Sequence, residues 1–159
     1  MNNVLSKEEM KSLRKKFKVE HKKVVFTNGV FDLIHAGHVD YLIKAKAMGD
    51  ILIVGMNSDS SVKRIKGEKR PLINQTERAF VLSNLKPVDF VVIFEEDTPF
   101  ELIKELIPDV LVKGADWSLD KIVGSDIITA DGGEVKNIQF VSKQSTSKII
   151  EIILSRYSD

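Results

Sequence analysis

The 159-residue sequence contains no cysteine. That absence excludes disulfide frameworks, thiolate zinc sites, iron–sulfur clusters and cysteine nucleophiles. Histidine is scarce, at three residues, and tryptophan occurs once. Charge of one sign is also lacking: 24 Lys and Arg face 23 Asp and Glu, for a net charge of +1. Whole-chain charge therefore gives no drive toward nucleic acid or an anionic membrane surface. The longest apolar runs, such as Ile51 to Met56, fall far short of the ~20 residues a membrane span needs. The N-terminal stretch has no apolar core of the secretory kind, so a cytoplasmic location is expected. Hydrophobic residues at 43% and charged residues at 30% leave the composition of one ordinary globular domain.

Residues 6 to about 18 carry Met10, Leu13 and Phe17 on one helical face, with Ser6 and Glu9 spaced as a capping box. They predict an N-terminal helical arm over residues 1–22, packed on the edge of a domain spanning 23–159. Within that domain short apolar strands alternate with helices. Val24–Thr27, Ile51–Met56, Phe90–Phe94, Val110–Lys113 and Val135–Phe140 read as strands. Helices are expected over Val39–Met48 before Gly49, from Asn74 or Thr76 to about Leu85, and from Pro99 to Leu106 with Thr98 as cap. Helical turns follow between Leu119 and Ala130, and a last helix runs from Thr146 to about Leu154 behind a Ser145 cap. Ser60–Pro71 reads as a long basic loop with one helical turn at most. The alternation predicts an α/β fold, a Rossmann-like doubly wound parallel five-stranded sheet with helices on both faces. Its site is expected at the carboxyl ends of the strands, near a topological switch point.

Four carboxyl-end segments carry polar chemistry. The first is Thr27-Asn28-Gly29-Val30-Phe31-Asp32-Leu33-Ile34-His35-Ala36-Gly37-His38. It is neither a Walker A loop nor a G-x-G-x-x-G fingerprint. Its two histidines, three apart at a helix start, share one side of a turn whose free N–H groups and dipole favour a polyanion such as a triphosphate. Gly29 and Gly37 allow close approach of a phosphate to the backbone. No metal-ligand set accompanies the pair, since His21 lies before the first strand. The second segment holds Lys63, Arg64, Lys66, Lys69, Arg70 and Arg78, either a solvated basic face or a phosphate clamp. The third, Lys113-Gly114-Ala115-Asp116-Trp117, places a carboxylate where ribose hydroxyls or a base amine could donate to it; Trp117 suits the core and base stacking equally. The fourth, Ser145-Thr146-Ser147, is a helix cap rich in hydroxyls.

The run G-V-F-D-L-I-H-A-G-H resembles the G-x-F-D-x-x-H-x-G-H signature of the cytidylyltransferase-like nucleotidyltransferases. Within them, F-T-N-G-V-F-D, V-G-M-N-S-D, K-G-E-K-R-P, F-E-E-D-T-P, P-D-V-L-V-K-G-A-D-W and D-G-G-E-V look like the adenylyltransferases that make ADP-heptose. The similarity runs from about Lys23 to Ile153. It departs at Gly114-Ala115-Asp116, where G-G-D is usual, and at Ser147, where a threonine is usual. The resemblance implies transfer of AMP from ATP to D-glycero-D-manno-heptose 1-phosphate, with release of diphosphate, for lipopolysaccharide core or surface-glycan precursors. It implies catalytic roles for His35, His38, Lys66 and Arg78. It implies ATP binding by Thr27, Asn28, Gly29, Val30, Phe31, His35, His38, Lys113, Gly114, Asp116, Ser145, Thr146 and Ser147. Asp32, Lys63, Lys66 and Arg70 would face the sugar phosphate, although Asp32 also suits a role holding the loop through backbone N–H groups. Mg2+ is the implied cofactor, carried by ATP rather than by named protein ligands. A homodimer is expected, with a sugar kinase supplied by another chain. The rival enzymes are a cytidylyltransferase for glycerol 3-phosphate or a phospho-alcohol and an FAD-forming adenylyltransferase. A nucleotide-binding module without catalysis is the rival outside the enzymes.

Overall fold

The computed structural model describes residues 3–114, 118, 121–139 and 145–157. Six parallel strands form one sheet: β1 (Val4–Leu5), β2 (Val24–Gly29), β3 (Ile51–Asn57), β4 (Phe90–Phe94), β5 (Val110–Gly114) and β6 (Glu134–Ile138), in the order β1-β4-β3-β2-β5-β6. Seven helices occur among the described residues: α1 (Lys7–Val19), α2 (Ala36–Lys46), α3 (Asp59–Lys66), α4 (Gln75–Ser83), α5 (Phe100–Leu106), α6 (Ser125–Ala130) and α7 (Thr146–Tyr157).

Alternation along each strand decides which layer a side chain enters. In β2, Val24 and Phe26 point into one core while Val25 points into the other. In β3, Leu52 and Val54 oppose Ile53, and in β5, Val110 and Val112 oppose Leu111. The first core is closed by Tyr41, Leu42 and Ala45 of α2 and Ala79 and Leu82 of α4. The second is closed by Met10 and Phe17 of α1, Leu102, Ile103 and Leu106 of α5, and Ile128 of α6. A strand buried on both faces needs an unbroken apolar run rather than an alternating one, which is what Val24–Phe26 and Ile51–Val54 supply.

The sheet departs from expectation at its edge. It has six strands, not five, because Val4 and Leu5 pair with Val91 and Val92. Two residues carry no periodicity, so that strand has no sequence signal. Ser6 then caps α1 reciprocally with Glu9, as the spacing predicts. Met10 is fully buried, and Arg14 donates to the carbonyls of Leu106 and Ile107 and pairs with Asp109 at 3.0 Å. The boundary at residue 22 thus separates a helix from a strand within one packed body.

A second departure bears on the site. The basic stretch after β3 is not a loop: Asp59–Lys66 is a full helix, with the Ser58 hydroxyl accepting from the Ser61 N–H. Only Ser61 and Val62 of it are buried, so few apolar positions advertised it. At α5, Pro99 occupies the N-cap position without a side-chain bond, and Thr98 does not cap. The last strand is Glu134–Ile138, shorter than the predicted Val135–Phe140. No described helix is long and apolar enough to cross a membrane.

Candidate active site

A cleft of about 520 Å³ opens at the carboxyl ends of the strands. The sheet order explains its position. From β2 the chain proceeds to β3 and β4 on one side, then crosses to β5 and β6 on the other. β2 is therefore the switch point, where loops diverge and leave a crevice.

The loop after β2 forms the floor. Gly29 is required there: a Cβ would come within 2.9 Å of the Phe31 ring, which folds back over it from a left-handed backbone (φ 48°). Asp32 anchors the loop. Its fully buried carboxylate accepts from the N–H groups of Leu72 and Ile73 at 2.9–3.0 Å and pairs with Arg70 at 2.6 Å. Burial alone would push the Asp32 carboxyl up, but those donors outweigh it and hold it below its ordinary value. The loop-holding role for Asp32 is what the geometry displays, and it aims Arg70 into the cleft.

The two histidines stand together. His35 is the N-cap residue of α2, and the His38 N–H donates to its carbonyl at 2.9 Å. Their ring centroids lie 4.0 Å apart, and Phe31 sits 5.3 Å from His38. Nδ1 of each is buried without a hydrogen-bond partner, as is Oδ1 of Asn28. Burial, then the neighbouring His35, lowers the His38 imidazole to about 4, with the Leu33 backbone opposing. Burial also lowers His35. Both rings are therefore neutral near pH 7, and each holds an unused buried nitrogen that a bound anion could engage.

Lys113, at the end of β5, is the cation on the other side. Its ammonium reaches the Asn28 carbonyl at 3.4 Å, and no carboxylate among the described residues pairs with it. Burial lowers it to about 8. A largely desolvated, unpaired ammonium is costly unless an anion arrives.

Of the sequence-predicted residues, Asn28, Gly29, Val30, Phe31, Asp32, His38, Lys66, Arg70, Lys113, Thr146 and Ser147 line the cleft. The other described ones do not line it. His35 stacks behind His38. Thr27 is buried against the Tyr41 hydroxyl at 2.7 Å. Gly114 is buried, and Lys63 is exposed on α3. Ser145 caps α7 by accepting from the Lys148 N–H. Asp116 and Trp117 lie outside the described residues.

Arg78 stands apart from the expected phosphate grip. Its fully buried guanidinium donates to the carbonyls of Ile73, Val30 and Asn57 and pairs with Asp59 at 2.7 Å. With those oxygens occupying it, it ties together the loop after β2, the junction of β3 with α3 and the segment before α4. Sequence reasoning passed over Asn57, Asp97, Thr98 and Lys121, which also line the cleft. Their signal is positional: Asn57 ends β3, Asp97 and Thr98 follow β4, and Lys121 follows β5.

A doubly wound parallel sheet with paired imidazoles, a buried lysine and a hydroxyl-bearing helix start around its switch point is an anion site, and the family match makes its class that of the nucleotidyltransferases. The chain belongs to the cytidylyltransferase-like family, which it matches over residues 26–152. It is 60% identical over 136 residues to the bifunctional protein HldE of Citrifermentans bemidjiense, and 54% identical over 142 residues to that of Geobacter sulfurreducens. These alignments cover 86% and 89% of the chain but only 28% and 29% of the relatives. The chain thus spans less than a third of their length. Among solved structures, the lipopolysaccharide core biosynthesis protein of Thermoplasma volcanium superposes with a TM-score of 0.61 at 30% identity, covering 77% of this chain and 99% of that one. Pantoate-beta-alanine ligase of Francisella tularensis, at 13% identity and a TM-score of 0.62 over 92% of this chain and 69% of its own, shares the fold.

Proposed function

We propose that the chain transfers AMP from ATP to D-glycero-D-manno-heptose 1-phosphate, giving ADP-heptose and diphosphate. The carrying observation is a set of desolvated nitrogens at one crevice: the lowered Lys113 ammonium, which has no carboxylate partner among the described residues, and the unpartnered Nδ1 of His38, with that of His35 stacked behind it. Such a set suits a polyanion that supplies the missing partners. The similarity to HldE and to a lipopolysaccharide core biosynthesis protein, with the resemblance to ADP-heptose-forming enzymes, supports the sugar.

The acceptor's phosphate is itself the nucleophile. Its second pKa is about 6, so it is largely ionised at neutral pH and needs no general base. The protein's work is alignment and charge neutralisation, as in phosphoryl transfer generally. His38, with His35 behind it, would meet charge on the α-phosphate. Lys113, Thr146 and Ser147 would hold the nucleotide, and Lys66 and Arg70 the acceptor phosphate. Alignment of two reactants is worth up to ~7–11 kcal/mol, and each donor aimed at developing charge adds about 3–4 kcal/mol.

Mg2+ fits this cleft as a passenger on ATP. No group of three or more ligating side chains occurs among the described residues, and Mg2+ on a nucleotide keeps several waters and needs few protein ligands. The ion would offset phosphate charge. A cytoplasmic homodimer fed by a separate sugar kinase completes the reading, and the exposed Phe80, Ile153, Leu154 and Tyr157 supply apolar surface for a second copy.

The test is diphosphate release from ATP or CTP with heptose 1-phosphate, glycerol 3-phosphate and other acceptors. Release with ATP and the heptose is expected. Preference for CTP with glycerol 3-phosphate refutes the proposal, as does tight ATP binding without diphosphate on any acceptor.

A further inference from the structure

The cleft has two ends, one on each side of β2. Lys113, at the end of β5, walls one side, and Thr146 stands beside the loop after β2, its hydroxyl donating to the Leu33 carbonyl at 3.4 Å; Lys66, Arg70 and the loop joining β4 to α5 wall the side of β3 and β4. If the nucleotide takes the first side, the acceptor must enter from the second, with the switch-point histidines between them. We propose that Asp97 and Thr98, in the β4–α5 loop, select the acceptor by hydrogen-bonding hydroxyl groups of its non-phosphate part, a polyhydroxylated sugar. This rests on the sugar-phosphate reading above.

Four polar residues run consecutively through that loop, and the first two are committed elsewhere. Glu95 accepts from the hydroxyls of Ser58 and Ser60, at 2.8 and 2.6 Å. Glu96 pairs with Lys7 at 2.9 Å. Asp97 and Thr98 instead line the cleft. Asp97 Oδ1 accepts from Arg64 Nε at 2.7 Å, while Oδ2 has no partner among the described residues. The exposed Thr98 hydroxyl also has none, having left the capping role its sequence position suggested.

Arg64 makes a carboxylate tolerable here. Its guanidinium is fixed by the Glu95 carbonyl and pairs with Asp97. That pairing offsets the negative charge Asp97 would otherwise present to an anionic acceptor. What remains is one oriented acceptor oxygen and one hydroxyl able to donate and accept, the pair of functions a vicinal diol needs. Lys66 and Arg70 would take the phosphate of the same molecule. A short phospho-alcohol reaches only the cations; a sugar phosphate reaches both groups.

The experiment compares Asp97→Asn and Thr98→Val with the unaltered chain, following diphosphate release with ATP and either D-glycero-D-manno-heptose 1-phosphate or glycerol 3-phosphate. Each variant is expected to raise KM for the heptose phosphate about five- to tenfold and to cut its preference over glycerol 3-phosphate by the same factor, the scale of one lost hydroxyl contact. KM for ATP should stay within about twofold, since these contacts would be absent from the nucleotide side. An unchanged preference, or a rise in KM for ATP instead, overturns the assignment while leaving the sugar-phosphate reading intact. An unaltered chain that uses no sugar phosphate at all overturns both.

Discussion

Binding of the triphosphate should draw a proton into the protein, and His38 is where it should go. In the free protein burial and His35 lower His38 to about 4, so it is neutral at every physiological pH. A phosphate charge about 5 Å away at an effective dielectric of about 20 favours the imidazolium by about 3 kcal/mol. That raises the pKa by about 2.4 units and brings it back to about 6.5. The rings lie 4.0 Å apart, so the pair takes up one proton rather than two. The sign follows from linkage: the bound state holds more protons, so affinity rises as pH falls through the bound value and levels off below the free one. Between about pH 7.5 and 5.5 the ATP dissociation constant should fall about tenfold. Isothermal titration calorimetry without acceptor, in two buffers of different ionisation enthalpy, counts the protons. Uptake of about half a proton per ATP is expected near pH 6.5, and subtracting the His38→Asn variant removes the nucleotide's own titration. Uptake that persists unchanged in the variant would refute the placement of this imidazole against phosphate.

Lys113→Met should stabilise the free domain by on the order of 1–3 kcal/mol at neutral pH while weakening ATP binding at least about tenfold. The folded pKa is depressed to about 8, so the penalty is full below that value and fades toward the unfolded lysine value; thermal melts at pH 7 and above 10 should show the gain shrinking. Lys66→Ala should lower turnover more than Lys69→Ala, because Lys66 lines the cleft and Lys69 does not; equal small effects in steady-state assays would return this stretch to a solvated face. Arg78→Met should cost about 3–5 kcal/mol in denaturant unfolding, since it leaves three carbonyls and Asp59 without their donor; a normal unfolding midpoint with lost turnover would restore Arg78 to the phosphate site.

The cores of this fold were legible because β2, β3 and β5 each open on an unbroken apolar run, and the capping residues Ser6, Asn74 and Ser145 all cap as their spacing suggests. β1 was not legible, since pairing of two residues with Val91 and Val92 is a tertiary event. α3 was hidden by its own cations: one buried apolar residue, Val62, leaves no stripe to detect. The histidine pair was readable as local spacing. Arg78 was not, because its partners Val30 and Asn57 lie 48 and 21 residues away. In a basic stretch, a cation that builds the floor and one that meets the ligand are the same letters.

What separates them is whether their hydrogen bonds close within the protein. Asp32, Arg78 and Asp59 are satisfied by named donors and acceptors, and they join the loop after β2 to the segment preceding α4. Nδ1 of His35 and of His38 has no partner, and the Lys113 ammonium has the Asn28 carbonyl at 3.4 Å but no carboxylate among the described residues, although each is desolvated. Buried polar groups are costly when underpaired, so a domain that keeps these three at and just behind one crevice wall is less stable than its cores allow. Binding a polyanion there recovers that deficit, and the rigid Asp32–Arg78 framework prevents the loops from collapsing to satisfy the groups internally. The free protein's electrostatic disadvantage and its readiness for a triphosphate are therefore one property of the crevice.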